Sequence, residues 1–281
     1  MNPDVFVRAG CIRALSWALA NGAAAAGPKL YWDEERQFLL PPTEQRTAIS
    51  EVASALAERG EALASWARRR WRKHAHRHWM AHEPIRSYWL SGALFAIRRA
   101  ALASTGPFDE GFRLYFEEQD WLTRLSARGL LSLYVPAAEA IHLFNQSAAH
   151  EASAKTWESD SAKRYRAKHG SAWVSTAIDW LGRRRRGPGW TRPPEIPLSP
   201  PTLAIGAMLP GVDGPAWVEI SALGRGFPAS AAQLPTSAAA SWTLPENVLD
   251  HMSAGEYFLT VCSSAGKEVF RGSFQCRAME R

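Results

Sequence analysis

Three carboxylates, Glu117, Glu118 and Asp120, follow directly after the aromatic pair Tyr115 and Phe116. Leucines at helical spacing come next, so the cluster is predicted to lie where a loop enters a helix. Acidic residues in a first helical turn stabilise the helix through its dipole and its free N–H groups. A carboxylate beside apolar side chains also gains proton affinity, which a general base acting near neutral pH needs. The stretch alone therefore fits a helix cap and a catalytic base, and the cap is the simpler interpretation.

One further residue has a side chain that could bind a metal ion. His142 lies near the end of a short apolar run, where a neutral imidazole can act as a ligand. For His142 taken alone, a structural, hydrogen-bonded role is the more common case. The three cysteines have no metal-ligand spacing, and their odd number favours free thiols in a reducing compartment.

The elements that must position these groups follow from the apolar pattern. An amphipathic helix is predicted near the start, with Ile12, Leu15 and Leu19 on one face. Gly92 interrupts a predicted buried strand, where a glycine often marks the close approach of a ligand or another backbone. The remaining pattern predicts, in order, a strand at 29–32, one or two helices within 44–80, the buried strand at 88–97, helices at 98–105 and 119–128, a strand at 131–135 and a polar helical region at 150–186.

A basic segment with tryptophans lies inside the predicted helices of 44–80. No acidic residue occurs between Glu61 and Glu83. The simplest interpretation is a solvated helix with Trp66, Trp71 and Trp79 turned inward. Residues 66–79 could instead contact an anionic membrane surface, and nucleic acid is a third possibility that no accompanying motif supports.

The chain changes character near residue 188. Six prolines occur in residues 188–201, which favours an extended, semi-rigid linker. Residues 202–281 then show short alternating apolar runs between turn residues, a pattern typical of a β-sandwich. Residues 1–201 carry 28 Lys and Arg against 20 Asp and Glu (+8), and the rest carry 5 against 7 (−2). The opposite balances favour two domains with different partners.

Length and composition set the broad class. With 281 residues, 46% of them hydrophobic, and 13 tryptophans, the chain is predicted to be globular. The start lacks the pattern of a secretion signal, and no window reaches the roughly 18 apolar residues of a membrane span. We therefore expect a cytoplasmic protein, with the inner membrane face as its second possible location.

Six segments of residues 1–170 resemble, in the same order, the second half of a bacterial family 2 glycosyltransferase of the rhamnosyltransferase-like group. The segments are Asn2-Pro3-Asp4, similar to the "NPD" form of the metal motif; Gly27-Pro28-Lys29-Leu30; Ser91-Gly92-Ala93 through Arg98-Arg99; Gly106 to Asp120, similar to "GGFDE…YFEDxD"; Pro136, His142 and Ser147; and Tyr165 with Lys168-His169-Gly170.

The resemblance implies a fold class and a division into domains. Residues 1–187 are expected to form an α/β domain, an incomplete glycosyltransferase A-type fold that lacks its N-terminal nucleotide-binding half. Residues 188–201 are the linker, and residues 202–281 are an all-β sandwich. That sandwich resembles a fibronectin type III domain in the runs Trp217–Ser221 and Gly255–Val261. Because the nucleotide-binding strands are absent from the chain, we expect it to bind a nucleotide-sugar weakly.

The resemblance also implies roles for the residues that opened the analysis. Glu118 would be the general base of an inverting sugar transfer from a nucleotide-sugar to a glycan or lipid-linked acceptor in cell-surface polysaccharide synthesis. Its neighbours Glu117 and Asp120 would complete the catalytic cluster. In addition, Gly92 and Trp121 would line the acceptor side, while Asp4 and His142 would bind Mg²⁺ or Mn²⁺. The alternative is an inactive remnant that acts as a glycan- or protein-binding scaffold.

Overall fold

The computed structural model describes residues 1–143, 154–170, 174, 176–178, 180, 192–196, 202–204, 216–234 and 241–276. Ser147 and all of the linker except residues 192–196 lie outside these ranges. Among the described helices, none combines the length and the apolar character needed to cross a membrane.

The described residues form an α/β protein whose helices and strands alternate along the first half of the chain. In order, the elements are β1 (Val5–Val7), α1 (Cys11–Ala20), β2 (Ala25–Tyr31), β3 (Phe38–Leu39), α2 (Ala48–Ala57), α3 (Glu61–Trp79), β4 (Ile85–Arg86), β5 (Ala96–Ile97), α4 (Arg99–Thr105), α5 (Glu117–Ala127), β6 (Ser132–His142), α6 (Ala154–His169), β7 (Thr202–Ala204), β8 (Ala216–Ser221), β9 (Ser230–Leu234), β10 (Ser241–Thr243), α7 (Glu246–Leu249), β11 (Gly255–Cys262) and β12 (Glu268–Cys276).

The chain divides into two compact units that do not follow sequence order. The first comprises Met1–Leu30, Pro42–Ala55 and His74–Arg185, and the second comprises Tyr31–Pro41, Leu56–Lys73 and Arg186–Arg281. Two N-terminal segments thus belong to the second unit, whereas the predicted domains were continuous stretches of sequence.

In the first unit, the long strand β6 organises the sheet. It lies between β1 and β2, and it also pairs with β4, while β5 pairs with β2. The β1–β6 pairing is antiparallel and sets Val5 opposite His142. The sequence predicted a strand that ended at residue 135, but β6 continues through Pro136. A proline is tolerated there because the β4 pairing uses Leu133 and Tyr134 and the β1 pairing begins only at Ala140.

Helix α1 covers part of this sheet with a face different from the predicted one. Cys11, Leu15 and Ala18 are buried, whereas Ile12 is 57% exposed. The helix therefore uses the i, i+4, i+7 positions that begin at Cys11. The small, apolar thiol of Cys11 packs as a core residue.

The predicted strand at 88–97 is wrong over most of its length. Only Ala96 and Ile97 form a strand, and residues 88–95 follow an irregular path that includes a turn at Gly92. The side chains of Trp89, Leu90 and Leu94 are nevertheless buried. The apolar run thus predicted correctly that the segment is buried. The turn at Gly92 explains why the buried segment does not form a strand.

The second unit contains an antiparallel sheet in the order β3-β9-β8-β11-β12, together with the two-stranded sheet β7–β10. Strands β8 and β11 coincide with the runs Trp217–Ser221 and Gly255–Val261 named from the sequence. Strand β9 was not predicted, because its sequence Ser-Ala-Ala-Gln-Leu is poor in the β-branched and aromatic residues that mark strands.

Some charged side chains of the basic helix α3 are buried in the core, and others are exposed on the surface. Arg72 is buried and contacts both carboxylate oxygens of Glu219, at 2.6 and 2.7 Å, while the buried Arg68 pairs with Glu268 at 2.8 Å. The prediction that the tryptophans turn inward is correct for Trp71 and Trp79 but wrong for Trp66, which is 45% exposed.

Candidate active site

The acidic cluster opens helix α5 immediately after two consecutive residues in left-handed conformation. Tyr115 has φ 63° and Phe116 has φ 71°, and Glu117 is the first residue of the helix. Non-glycine residues enter this region at a cost of about 1–3 kcal/mol each, and such strain concentrates at functional sites. The turn therefore fixes the direction in which Glu117 and Glu118 leave the loop.

Contacts around Phe116 hold this strained turn in place. Phe116 is buried, its ring lies 5.6 Å from that of Tyr165, and the guanidinium of Arg46 sits 4.5 Å from its centroid. Ser161 on α6 donates a hydrogen bond of 2.8 Å to the carbonyl oxygen of Leu114. Helix α6 thus anchors the loop from one side and Arg46 from another.

Glu118 has the proton affinity expected of a general base. Burial and, secondarily, the charge of Glu117 raise the pKa of Glu118 to about 7, although the backbone N–H groups of Glu118 and Gln119 and the cation of Arg46 act in the opposite direction. The side chain is partly buried but retains some exposure. Near neutral pH this carboxyl can therefore both accept a proton and release it.

Gly92 provides the space in which the Glu118 carboxyl lies. A Cβ added at Gly92 would be 3.0 Å from Cδ of Glu118 and 3.3 Å from Oε1. Gly92, which the resemblance placed on the acceptor side, therefore lies directly against the Glu118 carboxyl. The turn that replaces the predicted strand brings the two together.

A Gly92→Ala substitution is expected to displace the base without unfolding the protein. The methyl group would push the Glu118 carboxyl by a few tenths of an ångström. Because a misplacement of about 1 Å can lower catalysis about a hundredfold, we expect a smaller loss here, about tenfold. The measurement is the rate of sugar transfer at saturating acceptor. Gly60→Ala is the control, because a Cβ there meets no atom within 4 Å. Equal activities of the two variants would contradict this role for Gly92.

Asp120 is fully buried and contacts three nitrogen-bearing side chains, two of which, Arg124 and Lys168, are cations. Its carboxylate contacts Nε of Arg124 at 2.9 Å, Nζ of Lys168 at 2.8 Å and Nε2 of His169 at 2.6 Å. Burial alone would raise the pKa of Asp120, but hydrogen bonds from Lys168, His169 and Arg124 outweigh it and lower the pKa. The ionised Asp120 carboxylate therefore links α5 to α6. These contacts can hold α5, the helix that carries Glu118, in position.

Trp121 supports the loop from inside the core. It is fully buried, its indole N–H donates 2.9 Å to the carbonyl of Gly106, and its ring stacks on Phe108 at 5.7 Å. Because no part of the indole is exposed, Trp121 packs in the core and offers no surface on which an acceptor could bind.

Asp4 and His142, the predicted metal ligands, lie side by side. Oδ1 of Asp4 is 3.4 Å from Nε2 of His142. Asp4 stands just before β1, and its carbonyl accepts a hydrogen bond from Leu143 N–H at 3.2 Å. The antiparallel pairing of β1 with β6 therefore brings together two residues that are far apart in sequence.

The two ligand atoms fit a divalent cation in spacing and in protonation. Burial lowers the pKa of His142 although the Asp4 carboxylate opposes the shift, which favours the neutral imidazole that a metal ligand requires. Ligand atoms about 2.1 Å from one ion lie about 3.0–3.5 Å apart when they are neighbours in its shell, and the pair observed falls in this range.

The Asp4–His142 pair and Glu118 border the same irregular segment. Asn2, two residues before Asp4, donates a hydrogen bond of 2.8 Å to the carbonyl of Ala93, which follows Gly92. All of these residues belong to the first compact unit. The structure thus places the predicted site residues in one unit, where Asp120 and Trp121 are both fully buried on α5.

Sequence reasoning missed the roles of Arg46, Lys168 and His169. The resemblance covered the last two only as part of a closing helix, and Arg46 stands in a stretch without a motif. Only the i, i+4 spacing of Asp120 and Arg124 could have predicted an ion pair from sequence.

Comparisons with known proteins agree with the resemblance over part of the chain. The N-acetylglucosaminyl-diphospho-decaprenol L-rhamnosyltransferases of Mycobacterium tuberculosis strains CDC 1551 / Oshkosh and ATCC 25618 / H37Rv are each 36% identical to this chain over 106 residues. No family model matches the chain, and no solved structure matches it. The alignment covers 38% of this chain and 29% of each relative, so the chain spans less than a third of their length. This partial similarity supports a relationship with glycosyltransferases.

Proposed function

We propose that the chain carries the acceptor-activating half of an inverting, metal-assisted family 2 glycosyltransferase. The observation that carries the proposal is Glu118, a carboxyl whose pKa is raised to about 7, set by a strained turn and packed against the backbone of Gly92. The similarity to the two rhamnosyltransferases supports the same class of reaction. By analogy with their names, the acceptor is a sugar on a lipid diphosphate and the donor is a nucleotide-activated sugar.

The proposed step is a direct displacement at the anomeric carbon. The acceptor hydroxyl oxygen forms the new C–O bond while the bond from the anomeric carbon to the diphosphate oxygen breaks, and its electron pair leaves with the nucleoside diphosphate. Glu118 removes the hydroxyl proton as the oxygen attacks. Because attack comes from the face opposite the leaving group, the configuration inverts.

Glu118 needs its surroundings for this task. Glu117 raises the proton affinity of Glu118, whereas the helix N–H groups and Arg46 keep its pKa from rising further. The contacts of Asp120 with α6 hold the helix in place. Each of these groups acts through Glu118.

Asp4 and His142 would hold Mg²⁺ or Mn²⁺. When bound, the ion would neutralise negative charge on the departing diphosphate. One carboxylate and one neutral imidazole leave most positions of an octahedral shell for water and phosphate oxygens, as is usual for Mg²⁺ sites that act on phosphates.

Binding of Mn²⁺ alone tests this pair without any reaction. We expect the purified chain to bind Mn²⁺, detected by loss of the free-ion signal in electron paramagnetic resonance. Asp4→Asn should weaken binding by about tenfold or more, since even outer-shell changes cost that much. Asp160→Asn, the same change at an exposed aspartate on α6, is a control for a general change in charge. Equal Mn²⁺ affinity in the native chain and the Asp4 variant would remove Asp4 from the metal site.

The activity itself is tested with the whole chain, Mn²⁺, a labelled nucleotide-activated rhamnose and a polyprenyl-diphospho-N-acetylglucosamine acceptor. Formation of a labelled disaccharide lipid supports the proposal. Because we expect the chain to bind a nucleotide-sugar weakly, the donor is supplied in large excess. Acceptor binding without transfer under this condition would favour the alternative of a glycan-binding scaffold.

For the second compact unit we propose a spacer or binding module. Its β8 and β11 strands carry the runs that resemble a fibronectin type III domain, and their antiparallel pairing is compatible with such a sandwich. Binding of polysaccharide fragments to the intact chain, followed by calorimetry, separates a binding role from a spacer role.

A further inference from the structure

Helix α3 presents one continuous exposed face. Leu63, Trp66, Arg69, Arg70 and Lys73 are exposed, and their spacing of three or four residues puts them on one side of the helix. We call these five residues the α3 stripe. The residues between them, among them Arg68, Trp71 and Arg72, face the core.

All charges on the α3 stripe are positive. In the part of the chain that the structure describes, neither Arg69 nor Lys73 lies in an ion pair, and Nη1 of Arg69 donates to the hydroxyl of Ser65 at 2.7 Å. The acidic residues at the start of the helix are engaged elsewhere, since Glu61 pairs with the buried Arg68 and Glu58 lies 3.5 Å from Arg225. Arg69 and Lys73 therefore keep positive charges that no ion pair of the described residues compensates.

Large apolar side chains lie on the same stripe. Trp66 is 45% exposed and Leu63, one helical turn away, is 39% exposed. By contrast, Trp71 on the same helix is buried in the protein core. Burying these two large apolar side chains against a partner would be favourable. Each neighbouring cation would in addition attract a partner that carries negative charge.

The combination favours a lipid surface over nucleic acid. An indole prefers the boundary between headgroups and acyl chains, and arginine and lysine attract anionic headgroups. The aliphatic Leu63 has no counterpart on a phosphodiester backbone, whereas an acyl chain accommodates it.

We propose that the α3 stripe docks the protein on an anionic membrane surface, with Leu63 and Trp66 inserted between headgroups and Arg69, Arg70 and Lys73 bound to lipid phosphates. This contact is peripheral. It stands independently of the sugar-transfer proposal, because it rests on residues of the second compact unit and not on Glu118.

Vesicle flotation with the whole 281-residue chain tests the proposal. We expect binding to vesicles of equal parts phosphatidylcholine and phosphatidylglycerol, no binding to phosphatidylcholine alone, and release by high salt. The double variant Arg69→Gln/Lys73→Gln should bind about twentyfold to thirtyfold more weakly, from the loss of two surface charges. Trp66→Ser should weaken binding at every salt concentration, since its contribution is apolar.

The double variant Arg99→Gln/Arg128→Gln is the matched control, because it removes the same net charge from two exposed arginines on other helices. It should retain nearly native binding. Circular dichroism and a thermal midpoint check that each variant is folded. Three outcomes would overturn the proposal: no binding to anionic vesicles at low salt, an equal loss in stripe and control variants, or binding to duplex DNA that is tighter than binding to vesicles and is lost with the stripe.

Discussion

Replacing Glu118 by glutamine is expected to reduce sugar transfer by about a hundredfold to ten-thousandfold, the usual contribution of a general base. Glutamine keeps the size of the side chain and its contact with Gly92, but its amide cannot accept the hydroxyl proton. Product formation with labelled donor measures the loss. Acceptor affinity, measured separately, should change little.

At alkaline pH the same variant should be more stable than the native chain. Because the folded-state pKa of Glu118 is raised to about 7 from an ordinary value of 4.5, the native state binds the proton more tightly than the unfolded chain does. The stabilising effect of that proton is complete below about pH 4.5 and is lost as the pH rises through 7. Glu118→Gln should thus raise the thermal midpoint at pH 8 and leave it nearly unchanged at pH 4.5.

The pH dependence of activity runs in the opposite direction. The base must be deprotonated to act, so transfer should increase with pH through an apparent pKa of about 7. Since the charge of Glu117 helps to raise this pKa, Glu117→Gln should move the rise to lower pH while leaving the maximum rate largely intact. A profile that stays in place in Glu117→Gln, or retained activity in Glu118→Gln, would remove Glu118 from the role of base.

The acidic cluster shows what the sequence could predict and where its information ended. Leucine spacing correctly predicted helix α5, and the resemblance singled out Glu118, whose raised pKa fits the assigned task. The left-handed pair Tyr115 and Phe116 was not predictable, because neither residue prefers that conformation. Tertiary contacts with Tyr165 and Arg46 hold it there.

Gly92 and helix α1 show two further limits. An apolar run reports burial, but it cannot distinguish a strand from a buried irregular segment, so 88–97 was wrongly predicted as a strand. The face of α1 was misplaced by one residue, because alanine and cysteine, which form its core contacts, are weak hydrophobic signals. Likewise, no pattern along the chain could show that Arg68 and Arg72 find Glu268 and Glu219 almost 200 and 150 residues away.

The second large effect is expected at Asp120, and it concerns stability. Asp120→Asn leaves Arg124, Lys168 and His169 around a neutral amide, and breaking a buried ion pair by removing one partner costs about 3–5 kcal/mol. Because Arg124 and Lys168 keep partial contact with water, we expect the lower end, about 3 kcal/mol. Urea unfolding at pH 7 measures the loss.

Asp160→Asn is the matched control for this experiment. Asp160 pairs with Lys163 on the surface of α6 at 3.3 Å, with most of both side chains exposed, and such pairs contribute about 0–1 kcal/mol. The two variants make the same chemical change, one in the core and one at the surface. Similar destabilisation in both would show that the buried contacts of Asp120 do not hold α5 against α6.

The pH dependence distinguishes an ionic role of Asp120 from mere packing. Its pKa is lowered in the folded state, so its contribution to stability is present above the ordinary value near 3.8 and is lost as the pH falls through the folded pKa. The difference in unfolding free energy between the native chain and Asp120→Asn should therefore be largest at neutral pH and shrink in acid. A difference that does not change with pH would mean that the amide fails for steric reasons. In that case the ion pairs of Asp120 would not position α5, the helix that carries Glu118.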